Sequence, residues 1–192
     1  MARQLNRKLP GDKGVTGKTR AEESIARMIR VNHAGEYGAR RIYQGQLKVL
    51  GKDPELRETL EHMAAQEEEH LAYFEGEIIK RRVRPTALHP LWHVAGYALG
   101  YATARIGPEA AMACTVAVEE VISDHYGDQL AALEETKDEA DLRKHIAKFK
   151  AEEEEHHDIG LDHDAEQAPL YKLLTGAIKT GSKLAIAVAK RI

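Results

Sequence analysis

The stretch HMAAQEEEHLAYFEGEII, residues 62–79, places a Glu-x-x-His motif in the middle of a helical pattern. Apolar residues recur before and through this stretch at steps of three and four, the spacing of one face of an α-helix. That face carries Leu56, Leu60, Met63, Glu67, His70, Phe74 and Ile78. The spacing therefore predicts that the acid and the imidazole of the motif point into the core with the apolar side chains.

A second stretch, HIAKFKAEEEEHHDIG (residues 145–160), repeats the pattern. Its inward face carries Leu142, Ile146, Phe149, Glu153, His156 and Gly160. Each motif is preceded by a helix with one inward glutamate. Glu36 lies 31 residues before the glutamate of the first motif, and Glu119 lies 34 residues before that of the second. The chain is therefore a twofold internal repeat of a Glu helix followed by a Glu-x-x-His helix.

Almost the whole chain is predicted to be helical. The four repeat helices are predicted at about residues 20–50, 54–82, 108–136 and 138–159, and a fifth helix follows Pro169. The first pair and the second pair are each joined by a short turn, so the members of each pair are antiparallel. The connection over residues 83–107 is much longer. This predicts an all-α, ferritin-like four-helix bundle with a long crossover between helices two and three and an additional C-terminal helix.

The distribution of charge divides the chain further. Residues 1–19 are basic and contain no apolar run, which predicts a flexible N-terminal arm before a single domain at 20–192. Acidic and basic residues are absent from 85–104, a stretch that contains Trp92 and Tyr97. Residues 167–192 contain no acid but five cations. We therefore expect the crossover (83–107) and the C-terminal helix (168–192) to face a membrane surface without spanning the bilayer.

The overall composition excludes some functions. Lys and Arg number 28 and Asp and Glu number 31, a net charge of −3. A nucleic-acid binder would show a strong basic excess, so none is expected. The chain has one cysteine, Cys114, which cannot form an intrachain disulfide, a CxxC pair or a rubredoxin-type site. This cysteine usage indicates a reducing compartment.

Four carboxylates and two imidazoles in an apolar core require compensation, because unpaired buried charges are heavily penalised and neighbouring carboxylates repel. Two divalent metal ions would supply it, with two glutamates bridging, two terminal and one imidazole for each ion. The predicted ligands are Glu36, Glu67, His70, Glu119, Glu153 and His156. Such a donor set suits iron or manganese, and open positions on iron suit dioxygen.

The acids and histidines beside these ligands are predicted to have other roles. Five glutamates next to the motifs are expected on the solvated helix faces. They are Glu68, Glu69, Glu152, Glu154 and Glu155. His157 and His163 are expected near the ligands without binding metal, or at the surface.

Four motifs resemble the demethoxyubiquinone hydroxylases of ubiquinone biosynthesis. They are NHAGEYGA (32–39), QEEEHL (66–71), TVAVEE (115–120) and EEEEHHDIGLDHDAE (152–166). The resemblance covers residues 28–192 and implies that the same six residues bind two iron ions. It also implies the reaction, which inserts one oxygen atom of dioxygen into the ring of a polyprenyl methoxy-benzoquinol.

The resemblance also implies an electron donor and partners. The chain has no GxGxxG fingerprint and no cysteine relay, so electrons must come from outside, and the family is associated with NADH. The implied partners are the quinol, dioxygen, a membrane and other ubiquinone-biosynthesis proteins, including a lipid-binding one; homo-oligomerisation is left open. The implied location is peripheral, on the cytoplasmic face of a bacterial cell membrane or the matrix face of the mitochondrial inner membrane.

Two further residues are candidates for catalysis. His125 and Tyr126 follow Glu119 by six and seven positions, and Tyr126 shares its inward stripe. One interpretation is that the pair handles protons and electrons beside the iron; the other is that Tyr126 is a core aromatic.

Two other functions remain as alternatives. A ferritin- or rubrerythrin-like iron oxidase or peroxidase would use the same ligands. A non-enzymatic membrane protein would use the Glu and His residues only structurally.

Overall fold

A computed structural model describes residues 19–134 and 136–191. Within them the chain forms six α-helices, two short 3₁₀ turns and no strand. The helices are α1 (Arg20–Leu50), α2 (Pro54–Arg81), α3 (His89–Ile106), α4 (Pro108–Leu133), α5 (Ala140–Asp162) and α6 (Tyr171–Ala189). The all-α prediction is confirmed. The predicted N-terminal arm lies outside the described residues except for Thr19.

The ends of the first two helices follow from local sequence. Thr19 begins α1 with a capping box, since its side chain accepts a hydrogen bond from the Glu22 amide and its own amide donates to the Glu22 carboxylate. Asp53 caps α2, and Pro54 occupies the first turn, where its missing N–H costs nothing. The turn between the two helices spans only residues 51–53, which makes them antiparallel.

The long crossover contains a helix that the sequence analysis did not predict. Helix α3 has Pro90 in its first turn, so the proline begins the helix rather than breaking it. The backbones of α3 and α1 approach closely. A Cβ added at Gly100 would lie 2.0 Å from the Ile42 carbonyl oxygen, and one at Gly45 would lie 2.4 Å from the Tyr97 carbonyl oxygen. Only glycine fits at these two positions.

Two of the apolar clusters in the core of the bundle lie next to the Glu-x-x-His residues. One includes Phe74, Tyr126 and Phe149, and the other includes Leu60 and Met63. On α2 and α5 the Glu-x-x-His residues fall between the residues of the two clusters, so the polar groups are sealed at both ends. Helix α6 packs against α4 and α1. Among the described residues, no helix has the length and apolar character needed to cross a bilayer.

Candidate metal centre

The structure brings all six predicted ligands together in the core. Each is at most 1 % exposed. They form two overlapping groups whose ligand atoms all lie within 4.8 Å of one another. Glu36 and His70 complete one group, Glu119 and His156 complete the other, and both groups contain Glu67 and Glu153. The two shared glutamates are therefore the candidates for bridging two ions, and the other four residues are the candidates for terminal ligands.

Each imidazole turns its Nδ1 atom towards the carboxylates. His70 Nδ1 lies 3.3 Å from Glu153 Oε1 and 3.5 Å from Glu36 Oε2. His156 Nδ1 lies 3.3 Å from Glu67 Oε1 and 3.3 Å from Glu153 Oε2. Nδ1 is therefore the nitrogen that faces the candidate metal positions.

The opposite nitrogens make hydrogen bonds that the sequence analysis missed. His70 Nε2 donates to Glu152 Oε2 at 2.9 Å, and His156 Nε2 donates to Gln66 Oε1 at 2.7 Å. The prediction that Glu152 belongs to the solvated face was wrong, because its side chain is only 17 % exposed and reaches across to another helix. Gln66 and Glu152 hold equal places in the repeat, since each directly precedes the shared glutamate of its own helix.

Two tyrosines hold the terminal glutamates. Tyr43 donates its hydroxyl proton to Glu119 Oε1 at 2.7 Å, and Tyr126 donates to Glu36 Oε1. Each tyrosine lies seven residues after the glutamate of its own helix and bonds the glutamate of the other one. One oxygen of each terminal carboxylate is thereby fixed, and the other is left for a cation. Tyr126 thus lies in the site as well as in the core.

Further hydrogen bonds join α1 and α4 beyond the tyrosine–glutamate pairs. Asn32 Nδ2 donates to Gln129 Oε1 at 2.8 Å, and Gln129 Nε2 donates back to Asn32 Oδ1 at 2.6 Å. In the other half, Gln46 Nε2 donates to the Ala111 carbonyl oxygen at 3.0 Å and lies 3.4 Å from Thr115 Oγ1. Since Gln46 and Gln129 hold equal places after Glu36 and Glu119, the sequence repeat is also a structural one.

The electrostatics of the cluster favour a cation. Eight buried ligand atoms have no hydrogen-bond partner among the described residues. They are Glu36 Oε2, both carboxylate oxygens of Glu67, His70 Nδ1, Glu119 Oε2, both carboxylate oxygens of Glu153 and His156 Nδ1. Burial and the nearby Glu153 charge raise the pKa of Glu67 and of Glu119 well above the usual range of a glutamate. Unpaired oxygen and imidazole donors of this kind fit divalent iron or manganese.

Protons stand in for metal charge when no cation lies between these groups. Burial opposes protonation of His70, but the carboxylates of Glu153 and Glu36 outweigh it and raise the pKa of His70 to about 12. Burial likewise opposes ionisation of Glu153, but His156 and His70 outweigh it and lower the pKa of Glu153 to about 2. Metal binding therefore has to displace protons from the imidazoles.

Other predicted residues lie elsewhere. His125 is half-buried and lines a cavity of about 820 Å³ between α1, α4 and α6, together with Arg27 and Lys190. It is not among the residues of the cluster. Burial and the Lys190 charge lower the pKa of His125 to about 4. Cys114 is buried and free, as expected for a small core residue.

An apolar groove of about 520 Å³ lies between α1, α3, α4 and α6. Its walls include Gly35 and Val118, which directly precede Glu36 and Glu119. Trp92 of α3 and Leu174 of α6 also line it. The groove therefore runs beside the helices that carry the terminal ligands.

Residues 23–189 match the family model described as "Ubiquinone biosynthesis protein COQ7". The chain belongs to this family. It is 52 % identical over 185 residues to a Rhodospirillum rubrum protein named 3-demethoxyubiquinol 3-hydroxylase. The aligned region covers 96 % of this chain and 84 % of the relative. The family expected from the four motifs is thus confirmed.

Eukaryotic relatives are also similar over most of their length. A human protein named NADPH-dependent 3-demethoxyubiquinone 3-hydroxylase, mitochondrial, is 49 % identical over 181 residues, 93 % of this chain and 83 % of the relative. A Saccharomyces cerevisiae protein named 5-demethoxyubiquinone hydroxylase, mitochondrial, is 43 % identical over 182 residues, 88 % of this chain and 78 % of the relative.

Metal content tests the assignment of the ligands. After anaerobic loading with ferrous iron and desalting, we expect about two irons per chain. Glu67→Ala and Glu153→Ala remove ligands shared by both groups and should lower the content below about one, while Glu36→Ala should leave about one. Glu68→Ala is the matched control, because Glu68 lies on the exposed face and pairs with Arg40. Loss of iron in the control and retention in the two shared-ligand variants would show that the register is wrong.

Proposed function

We propose that the chain is a di-iron monooxygenase, a 3-demethoxyubiquinol 3-hydroxylase that adds a hydroxyl group to the ring of a polyprenyl methoxy-benzoquinol in ubiquinone biosynthesis. The observation that carries the proposal is the pair of overlapping Glu/His groups in the core of a chain about half identical to hydroxylases of that name. The donor set suits iron, and the sealed core around it suits oxygen chemistry.

The residues of the cluster have distinct tasks in this proposal. Glu67 and Glu153 would each bind both ions, and the remaining four ligands would each bind one ion. When bound, the iron pair supplies the electrons that activate dioxygen for transfer of one oxygen atom. Tyr43 and Tyr126 hold the terminal carboxylates in place through their hydroxyl groups. The apolar clusters on both sides exclude water from the reacting groups.

The apolar groove is the proposed site for the substrate. A polyprenyl tail is strongly apolar, and the groove is lined by small and apolar side chains from four helices. Gly35 and Gly38 on α1 leave room in the wall next to Glu36. A quinol ring in the groove would thus lie beside the helices that bear the terminal ligands. An iron-storing oxidase has no use for such a groove, which favours the hydroxylase over the ferritin- or rubrerythrin-like alternative.

The proposed reductant is a nicotinamide nucleotide. The resemblance implied NADH, whereas the Dictyostelium discoideum, bovine and human relatives are named NADPH-dependent. Both nucleotides deliver the same two electrons, so NADH and NADPH are the two candidates for this chain. Their reducing power would reach the iron directly or through bound quinone.

Exposed apolar residues on α3 and α6, two of the helices that line the groove, support a membrane-docking surface. On α3, Leu91 and Val94 are 52 % and 64 % exposed, and on α6, Leu173 and Leu184 are 69 % and 64 % exposed. Helix α6 adds lysines and no acid. Exposed apolar residues next to cations suit the interface of an anionic bilayer.

The proposed location is peripheral, on the cytoplasmic face of a bacterial cell membrane, or on the matrix face of the inner membrane if the source is mitochondrial. The proposed partners are other ubiquinone-biosynthesis proteins, including a lipid-binding one.

Quinone analysis tests the function directly. Cells that lack this chain should accumulate the demethoxy intermediate, and the purified iron-loaded protein should convert demethoxyubiquinol to the hydroxylated product with dioxygen and a nicotinamide reductant. The product should carry one atom of ¹⁸O from ¹⁸O₂. Normal quinone content in the deleted cells, together with no ¹⁸O in the product, would refute the proposal.

Liposome binding tests the docking surface. Replacing Leu91 and Val94 with Ser should weaken binding to anionic vesicles and slow turnover of a long-tailed quinol more than that of a short-chain analogue, because the tail stays in lipid. Ile79→Ser is the matched control, since Ile79 is 78 % exposed but lies on α2. If all variants bound vesicles equally and affected both substrates equally, the docking surface would be wrong.

We propose that His125 takes part in electron supply to the iron, and the rate of iron reduction tests this role. Anaerobic stopped-flow reduction of the ferric protein by NADH or NADPH should be faster with quinone present, and His125→Ala should slow it without changing iron content. Tyr126→Phe should also slow it and, in addition, loosen Glu36. An unchanged rate in His125→Ala would leave His125 as a residue of the cavity wall only.

A further inference from the structure

The two halves of the candidate metal centre differ in the acceptor of the imidazole Nε2 hydrogen bond. Among the described residues, the six ligands receive or donate four side-chain hydrogen bonds, two with tyrosines and two through the imidazole Nε2 atoms. The tyrosine bonds are the same in both halves. The imidazole bonds are not, because His70 donates to the carboxylate of Glu152 and His156 donates to the amide oxygen of Gln66.

We propose that this difference makes the two metal sites unequal, so that the site of Glu36 and His70 binds its divalent cation more tightly than the site of Glu119 and His156. Glu152 acts as a positioning residue on the tighter site, and Gln66 holds the equal place on the weaker one. This inference rests on the proposed di-iron function, since it concerns the same ions.

The positions of the two acceptors are closely matched, which isolates their chemistry. Both precede a shared glutamate, and the two donor–acceptor distances are 2.9 Å for Glu152 and 2.7 Å for Gln66. Both imidazoles are fully buried. The two Nε2 hydrogen bonds therefore have similar lengths and differ in the chemistry of the acceptor, a carboxylate for His70 and an amide oxygen for His156.

A carboxylate changes a metal-bound imidazole more than an amide does. When Nε2–H is donated to a charged oxygen, the hydrogen bond is stronger and the ring becomes more electron-rich, which strengthens the bond from Nδ1 to the metal. The same hydrogen bond fixes the tautomer that leaves Nδ1 free for the ion. An amide oxygen fixes the tautomer equally well but polarises the ring less. The His70 side therefore carries both the stronger ligand and the additional negative charge.

Lys148 keeps Glu152 in this position. Its Nζ atom lies 3.5 Å from Glu152 Oε1, while Oε2 accepts the proton of His70. Lys148 also pairs with Glu69 on α2, so its charge is shared. The lysine side chain is 44 % exposed, and solvent screens it more than it screens the part-buried Glu152–His70 bond. The lysine therefore orients the carboxylate without cancelling its effect on the ring.

Cobalt(II) is a suitable probe, because its absorption reports coordination without turnover. Anaerobic titration of the metal-free full chain should show two steps whose dissociation constants differ by about tenfold or more, the usual effect of such hydrogen-bond partners. In crystals soaked with one equivalent, anomalous scattering should place most of the cobalt beside Glu36 and His70.

Conservative exchanges then separate the two sites. Glu152→Gln should weaken the first step by about tenfold and bring the two constants together. Gln66→Glu should bring them together by tightening the second step instead. The double exchange should move the preferred occupancy to the site of Glu119 and His156. Glu154→Gln is the matched control, since Glu154 lies on the same helix and pairs with Lys150.

The outcomes distinguish this inference from the function on which it rests. Two equal steps in the unmodified chain, or a Glu152→Gln variant with both constants unchanged, would overturn the inequality and leave the metal centre intact. A failure of the chain to bind cobalt or iron at all would overturn the metal centre itself, and the inference with it. Reversed occupancy in the double exchange would be its strongest support.

Discussion

The structure depends on the burial of four carboxylates and two imidazoles in one place. All six side chains are at most 1 % exposed, and eight of their polar atoms have no hydrogen-bond partner among the described residues. An apolar bundle can hold such a group only if positive charge lies among the oxygens. Despite burial, the neighbouring carboxylates raise the pKa of both His70 and His156, which favours the positively charged imidazoles, and two divalent cations would supply the remaining charge. The helical bundle therefore positions and buries the donor atoms that two ions would bind.

Because of the internal repeat, four of the six ligands are positioned by two kinds of hydrogen bond, each used twice. Each terminal glutamate is held by a tyrosine of the opposite helix, and each imidazole is held by the residue that precedes a shared glutamate. Every helix of the bundle thereby fixes a ligand on another helix. The ligands are positioned by contacts across the bundle. A substitution at a hydrogen-bonding residue in one half therefore removes a contact to a ligand in the other half.

Much of this site can be predicted from the sequence because the ligands share a face with large apolar residues. Glu67 and His70 lie in register with Met63 and Phe74, so their burial follows from helical spacing. Glu152 could not be assigned in this way. Its partner is on another helix, and no local spacing reports a contact of that kind. His125 shows a further limit, since its neighbour Tyr126 faces the cluster and successive helical residues point about 100° apart.

The crossover shows where composition misleads. Residues 83–107 lack the alternation of charged and apolar residues that identifies the other helices, and Pro90 suggests an interruption. The structure instead has α3 there, with Pro90 in its first turn and Gly100 against the backbone of α1. This close packing makes α3 one wall of the apolar groove. The unusual composition of the segment therefore reflects both its contact with α1 and its exposure beside the groove.

Two cations are expected to compensate the buried charge of the six ligands. The most direct test is the thermal unfolding of the metal-free protein as ferrous iron is added anaerobically. Because ions that bind only the folded chain stabilise it, the unfolding temperature should rise steeply until two equivalents are bound and only slowly afterwards. An unfolding temperature that does not change with iron, or that stops rising at one equivalent, would show that two ions do not compensate the buried charge.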